Sequence, residues 1–133
     1  MTNINEEYVS FEIANLLKEK GFDNICNGYY NQEKTLQKCS LCSIEDTLKS
    51  PFYFDCIPAP TIQMAMKWLR EVHNIVCNID IESRNFYYYS IFIIRSSIEA
   101  QYQLTSQKPY FETYEETCEA AIKYCLENLV NDE

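Results

Sequence analysis

Cysteines are the residues of this 133-residue chain whose type and spacing most readily allow chemistry. Cys39 and Cys42 form a C-x-x-C pair, and Cys26 and Cys56 flank it, so four thiolates are available for a tetrahedral zinc ion. Against zinc, the sequence has no second C-x-x-C, and a free cysteine often serves as a small buried apolar residue. We therefore expect no cofactor, and structural zinc on these four residues is the alternative.

His73 is the only histidine, so a thiol enzyme would have to combine it with Cys39 and Cys42. No motif places a cysteine beside it, and the sequence around the C-x-x-C pair lacks the βαβ pattern of a thioredoxin-like site. Motifs for a phosphate-binding loop, a nucleophile elbow or a zinc protease are also missing. The sequence thus favours a non-enzymatic protein, with a small nucleotide hydrolase or thiol enzyme as the alternative.

Aromatic side chains are a second group with functional potential, because they can stack on a base or anchor a protein partner. The chain has 11 tyrosines, and several aromatic residues lie in one apolar run from Phe86 to Ile94. The predicted ligand-binding residues are Lys67, Arg70, Arg84, Tyr87, Tyr89 and Arg95. In this hypothesis the tyrosines contact a nucleotide-like ligand and the basic residues pair with its phosphate. The alternative is that the rings fill the core and the strand edges.

The net charge of the chain limits the classes of partner that it can bind. The formal net charge of −9 opposes docking on a nucleic-acid backbone or an anionic membrane surface, although a small anionic ligand held by local cations stays open. The acidic residues are too scattered for a convincing mimic of DNA. No signal peptide or long apolar segment is present in the sequence, so we expect a cytoplasmic protein with reduced cysteines.

Three amphipathic helices are predicted from apolar residues that recur every three or four positions. The first runs from about Ser10 to Lys20, the second from Thr61 to Asn74, and the third from Thr113 to Leu129. Ser10 and Thr113 are capping residues, and Thr113 with Glu116 forms a capping box. We expect the third helix to pack one apolar face on a small sheet.

Most of the sequence between the second and third predicted helices is predicted to form strands. Residues 75–82 and 98–104 alternate between apolar and polar, and Phe86 to Ile94 is apolar on both faces, so a three-stranded antiparallel meander is predicted. Residues 22–30, with the turn dipeptide Asn27-Gly28, predict an extra hairpin arm, and residues 52–57 an edge strand. The fold class is α+β, a single domain over residues 1–133 with an irregular, cysteine-containing excursion at about 31–50 and a short helix near 44–49.

The three helical segments together resemble a known group of proteins. They are EYVSFEIANLLKEKGF from Glu7, APTIQMAMKWLREVHN from Ala59 and YEETCEAAIKYCLENL from Tyr114. These segments resemble a family of small uncharacterised proteins from phages and prophages of gut Bacteroidales. The resemblance covers about half of the chain, and its residues are helix-building ones without a catalytic motif. It implies the origin of the protein and not its mechanism.

The charge, the aromatic residues and the resemblance together lead to one expected function. We expect a phage-encoded, non-enzymatic binding protein that acts on a host protein or sequesters a small nucleotide-like ligand, in an anti-defence or regulatory role. We expect the three helices to leave one face of the central strand uncovered. Some residues of one of two sets would then form an exposed apolar patch: Tyr87, Tyr89, Ile91 and Ile93, or Phe86, Tyr88 and Phe92. Such a patch would serve as a homodimer interface or as a ligand site next to Lys67 and Arg70.

Overall fold

A computed structural model describes residues 4–24, 26–38, 56–106 and 110–131 of the protein. Within these ranges it contains helices and strands in the following order: α1 (Phe11–Glu19), β1 (Gly28–Tyr30), β2 (Leu36–Lys38), β3 (Ile57–Pro58), α2 (Ile62–His73), β4 (Ile75–Ser83), β5 (Phe86–Ser96), β6 (Glu99–Thr105) and α3 (Tyr114–Asn128). The strands form two antiparallel three-stranded sheets, so the fold is α+β, as the sequence predicts.

The capping residues are Ser10 for α1, Thr61 for α2 and Thr113 for α3. Ser10 and Thr113 were predicted as caps, and Thr61 as the residue at which the second helix begins. The hydroxyl oxygen of each cap accepts a hydrogen bond from the backbone N–H three residues later, at 3.3, 3.2 and 3.1 Å respectively. Asn74 has a φ of 59° and ends α2 in the left-handed conformation. No helix within the described ranges has the length and apolar character needed to cross a membrane.

The large sheet has the strand order β4-β5-β6 and is the predicted meander. The α3 helix packs across β4 and β5, and α2 packs beside it on β4. Side chains from both layers meet in the core, where Ile75, Ile91, Cys118 and Ile122 are almost completely buried. The predicted core position of the third helix is therefore confirmed.

The small sheet has the order β2-β1-β3 and lies against α1. Leu36–Lys38 forms a regular hairpin with Gly28–Tyr30, which differs from the irregular structure predicted there. Residues 39–50 of the predicted excursion lie outside the described residues. The helix predicted near residues 44–49 lies outside the described residues. The strand predicted to end at Ile57 appears as β3, which occupies an edge of this sheet as expected, and its first residues also lie outside the described ranges.

Gly28 has a different role from the turn predicted for Asn27-Gly28. It is buried at the start of β1, where a Cβ atom would lie 2.8 Å from the carbonyl oxygen of Ala59 and 2.8 Å from two ring carbons of Tyr8. The glycine is needed because two segments of backbone approach closely at this point.

A β-bulge in β6 overturns the predicted alternation of that strand. Ile91 of β5 pairs with Leu104, but the next residue, Phe92, pairs with Tyr102, so Gln103 is an extra residue in β6. A regular strand would place Tyr102 and Leu104 on the same face. The bulge instead turns Leu104 toward the helices and Tyr102 toward the opposite face.

Candidate functional site

The two faces of β5 have different surroundings. Alternation along the strand places Tyr89 and Ile91 toward the helices, where they are 9% and 0% exposed. Tyr88, Ser90 and Phe92 point to the opposite face, on which none of the described helices packs. We call this second surface of the large sheet the open face. Of the two sets of side chains predicted as candidates for exposure, the one with Tyr88 and Phe92 lies on the face without a described helix.

Five aromatic rings lie on the open face: Phe86, Tyr88, Phe92, Tyr102 and Tyr110. The Tyr110 ring is 6.1 Å from Phe86 and 6.0 Å from Tyr88, and Phe92 is 5.7 Å from Tyr102, measured between centroids. The two edge-on pairs, Phe86 with Tyr110 and Phe92 with Tyr102, have the geometry that aromatic quadrupoles favour. The rings therefore form two contacting groups along the sheet.

The backbone after β6 explains how Tyr110 reaches this face. Ser106 N–H donates to the Tyr89 carbonyl at 2.8 Å, and Phe111 exchanges two hydrogen bonds of 2.9 Å with Tyr87. The chain thus pairs with β5 at Ser106 and again at Phe111. Because neighbouring residues of an extended chain point to opposite faces, Tyr110 faces away from the helices.

Hydroxyl groups connect the rings across the strands. The Ser90 and Thr105 hydroxyls lie 3.0 Å apart, and the Tyr102 hydroxyl donates to Thr105 Oγ1 at 2.9 Å. Ser90 is only 8% exposed, so the polar contact lies beneath the larger side chains. This network holds the Tyr102 ring in a fixed position along β6 although the ring itself is largely exposed.

A groove of about 870 Å³ runs between these groups. The residues that line it are Ile81, Glu82, Tyr88, Tyr102, Gln103, Leu104, Thr105, Ser106 and Tyr110. The Tyr110 hydroxyl donates a hydrogen bond to the Glu82 carboxylate, and this bond is the main reason why the pKa of Tyr110 is raised. Among these lining residues Glu82 is the only one with a charged side chain, and there is no lysine or arginine.

The predicted cationic residues do not meet at this groove. Lys67 and Arg70 are exposed on α2, which packs on the other side of the sheet. Arg84 lies in the turn before β5, whereas Arg95 lies near the end of β5 and donates from Nε to Gln101 Oε1 at 2.8 Å. At a rise of about 3.3 Å per residue, the two ends of this strand are roughly 30 Å apart. One small ligand cannot contact both arginines.

Tyr87 and Tyr89, the two tyrosines of the predicted ligand set, belong to the helix-covered face. The Tyr89 ring lies 6.1 Å from Phe111, and burial raises the pKa of its hydroxyl. The expectation that Tyr89 is part of an open binding surface is therefore wrong. Tyr102 and Tyr110 were missed by the sequence reasoning, because their positions depend on the bulge in β6 and on the pairing of Phe111 with Tyr87. Glu82 was not among the predicted site residues.

Two of the four cysteines predicted as possible zinc ligands lie within the described ranges. Cys26 and Cys56 are buried, and the Cys26 thiol donates to the Gly28 carbonyl at 3.4 Å. Cys39 and Cys42 lie outside the described residues. Within the described part of the chain, no cluster of three or more histidine, cysteine or acidic side chains could hold a metal ion.

The described cysteines are poorly suited to nucleophilic chemistry. Burial raises the pKa of Cys26, and it raises the pKa of Cys118 to about 12, so both thiols are protonated at neutral pH. The buried thiols of Cys77 and Cys125 lie 3.6 Å apart, and this contact raises the pKa of Cys125.

His73 packs edge-on against Trp68 at 4.7 Å, at the end of α2.

A comparison of the chain with protein-family models, curated proteins and solved structures found no match. What the site can do is therefore inferred from its own groups. The open face offers aromatic surfaces for stacking, hydroxyl groups for hydrogen bonding, and the carboxylate of Glu82 for attracting a cation.

Proposed function

We propose that this chain is a phage-encoded, non-enzymatic binding protein that contacts a host protein through the open face of its large sheet. The observation that supports the proposal is a groove bordered by aromatic rings on a sheet face that none of the described helices covers. Exposed apolar patches on folded proteins usually mark a partner site, and tyrosine is enriched at such interfaces. The resemblance of the helical segments to phage proteins supports the phage origin in this proposal, and an anti-defence or regulatory role in the host cytoplasm is part of the proposal.

A host protein fits this groove better than a nucleotide-like ligand does. Phosphate groups require nearby cations, but the only charged side chain among the described lining residues is the carboxylate of Glu82. The net charge of −9 adds a long-range repulsion for anions. A nucleotide hydrolase meets the same difficulty, since it too must hold phosphate.

Affinity enrichment from a lysate of a Bacteroidales host tests the proposal. The variant Tyr88→Ser/Tyr102→Ser removes two rings from the open face. Its matched control is Met64→Ser/Val72→Ser, which removes two exposed apolar side chains from α2. We expect the wild type and the control to enrich the same host protein and the open-face variant to lose it.

Two results would overturn this assignment. Equal enrichment by all three proteins would show that the open face does not take part in binding. A stable dimer of the wild type in native mass spectrometry, which the open-face variant abolishes, would replace the host protein by a second copy of the chain. Circular dichroism and thermal unfolding of both variants show whether they remain folded.

A further inference from the structure

The chemistry of the groove indicates which group of a partner it binds. We infer that the groove receives an arginine side chain, with the guanidinium stacked against the tyrosine rings and paired with Glu82. This inference rests on the proposed function and specifies the partner as a protein segment that contains arginine.

The carboxylate of Glu82 provides the electrostatic part of the site. It already accepts a hydrogen bond from Tyr110, but an ionised carboxylate has about four lone-pair positions and can accept further donors. No lysine or arginine among the described lining residues competes for it. Glu82 is exposed, so its carboxylate is accessible to a cationic group of a partner.

The tyrosine rings provide the stacking part. Tyr88 and Tyr110 are 6.0 Å apart with an angle of 43° between their planes, so they form an angled wall next to Glu82. Tyr102 borders the groove as well and is held in position by Thr105 at 2.9 Å. A cation above a tyrosine face is attracted by the ring quadrupole at distances up to about 6 Å.

Hydrogen-bonding capacity favours arginine over lysine. The planar guanidinium has five N–H donors and stacks on aromatic faces, whereas the ammonium group of lysine is compact and strongly hydrated. Glu82 and the side chain of Gln103 supply oxygen acceptors at the groove. The hydroxyls of Thr105 and Ser106 also line it and already accept from the Tyr102 hydroxyl and the Tyr89 N–H. A flat group with several donors uses these acceptors better than a point charge does.

Peptide titration followed by two-dimensional NMR tests this inference. The probe is acetyl-Gly-Ser-Arg-Ser-Gly-amide, and it is compared with peptides in which citrulline or lysine replaces the arginine. Citrulline keeps the planar shape without the charge. We expect shifts of amides in the groove with the arginine peptide, binding at least about tenfold weaker for Glu82→Gln, and no saturable binding of the citrulline peptide.

Glu99→Gln is the matched control, because it removes the same charge from an exposed position at the other end of the sheet. It should leave the affinity for the arginine peptide unchanged. The inference is overturned if wild type does not bind the arginine peptide, if the citrulline or lysine peptide binds equally well, or if Glu99→Gln weakens binding as much as Glu82→Gln. These outcomes leave the enrichment experiment unaffected, so failure of the arginine assignment can be distinguished from failure of the proposed function.

Discussion

Gly28 illustrates how a single residue can determine local packing in this protein. A methyl group at this position would lie 2.8 Å from the carbonyl oxygen of Ala59, which belongs to the backbone and cannot rotate away. We expect Gly28→Ala to lower the free energy of unfolding by about 1–3 kcal/mol, the usual range for overpacking. Urea denaturation measures the change, and Asn27→Ala at the exposed neighbouring position should have little effect. Equal stability of Gly28→Ala and wild type would contradict the close approach.

Thr113 determines where α3 begins. Its side chain accepts the Glu116 N–H at 3.1 Å, and alanine leaves that donor without this partner. Thr113→Ala should therefore reduce the free energy of unfolding by about 1 kcal/mol. Thr113→Ser retains a hydroxyl and should restore most of the loss in the same urea titration. If the alanine variant is as stable as the wild type, the cap does not contribute to stability.

Cys118 predicts how stability depends on alkaline pH. Its pKa is raised to about 12 in the folded protein, compared with about 8.5 in an unfolded chain. Its contribution to stability is therefore complete below about pH 8.5 and is lost as the pH rises toward 12, because the unfolded state then releases the proton first. Thermal unfolding between pH 7 and 10.5 should show a shallower decline for Cys118→Ala than for the wild type. Parallel declines would contradict the raised pKa.

The β6 strand shows how an element can depart from its sequence pattern. The bulge at Gln103 places Leu104 against the core and leaves Tyr102 55% exposed. We expect Leu104→Ala to cost about 2 kcal/mol of stability. Tyr102→Ala should cost about 0.5 kcal/mol or less. Guanidinium denaturation of both variants tests this order, and similar losses would indicate a regular strand in which both side chains share a face.

Helices and strands were predictable from this sequence to different degrees. Capping residues and apolar periodicity are local signals, so the starts at Ser10, Thr61 and Thr113 follow from the sequence. The bulge in β6 and the position of Tyr110 beside β5 depend on pairing between residues that are distant in the sequence. No local pattern in the sequence indicates either of them. For this reason the sequence predicted a set of aromatic residues near β5 but selected Tyr89, which is in the core.

On the scale of the whole molecule, the arrangement of layers creates the candidate site. The three helices of the described ranges share the core on one side of the large sheet, and β5 has large apolar side chains on both sides. The second set therefore remains on the open face, where Glu82 gives the groove a charge of the same sign as that of the whole chain. A basic partner would be attracted at long range and then bound by stacking and ion pairing.

Photo-crosslinking in host cells tests most directly whether the open face binds a host protein. A photo-reactive phenylalanine analogue replaces either Tyr102 on the open face or Val72 on α2, and both native side chains are 55% exposed. We predict that irradiation yields a discrete adduct with one host protein from position 102 and no comparable adduct from position 72. Equal adducts from both positions, or an adduct from position 72 alone, would contradict the assignment of the open face as the binding surface.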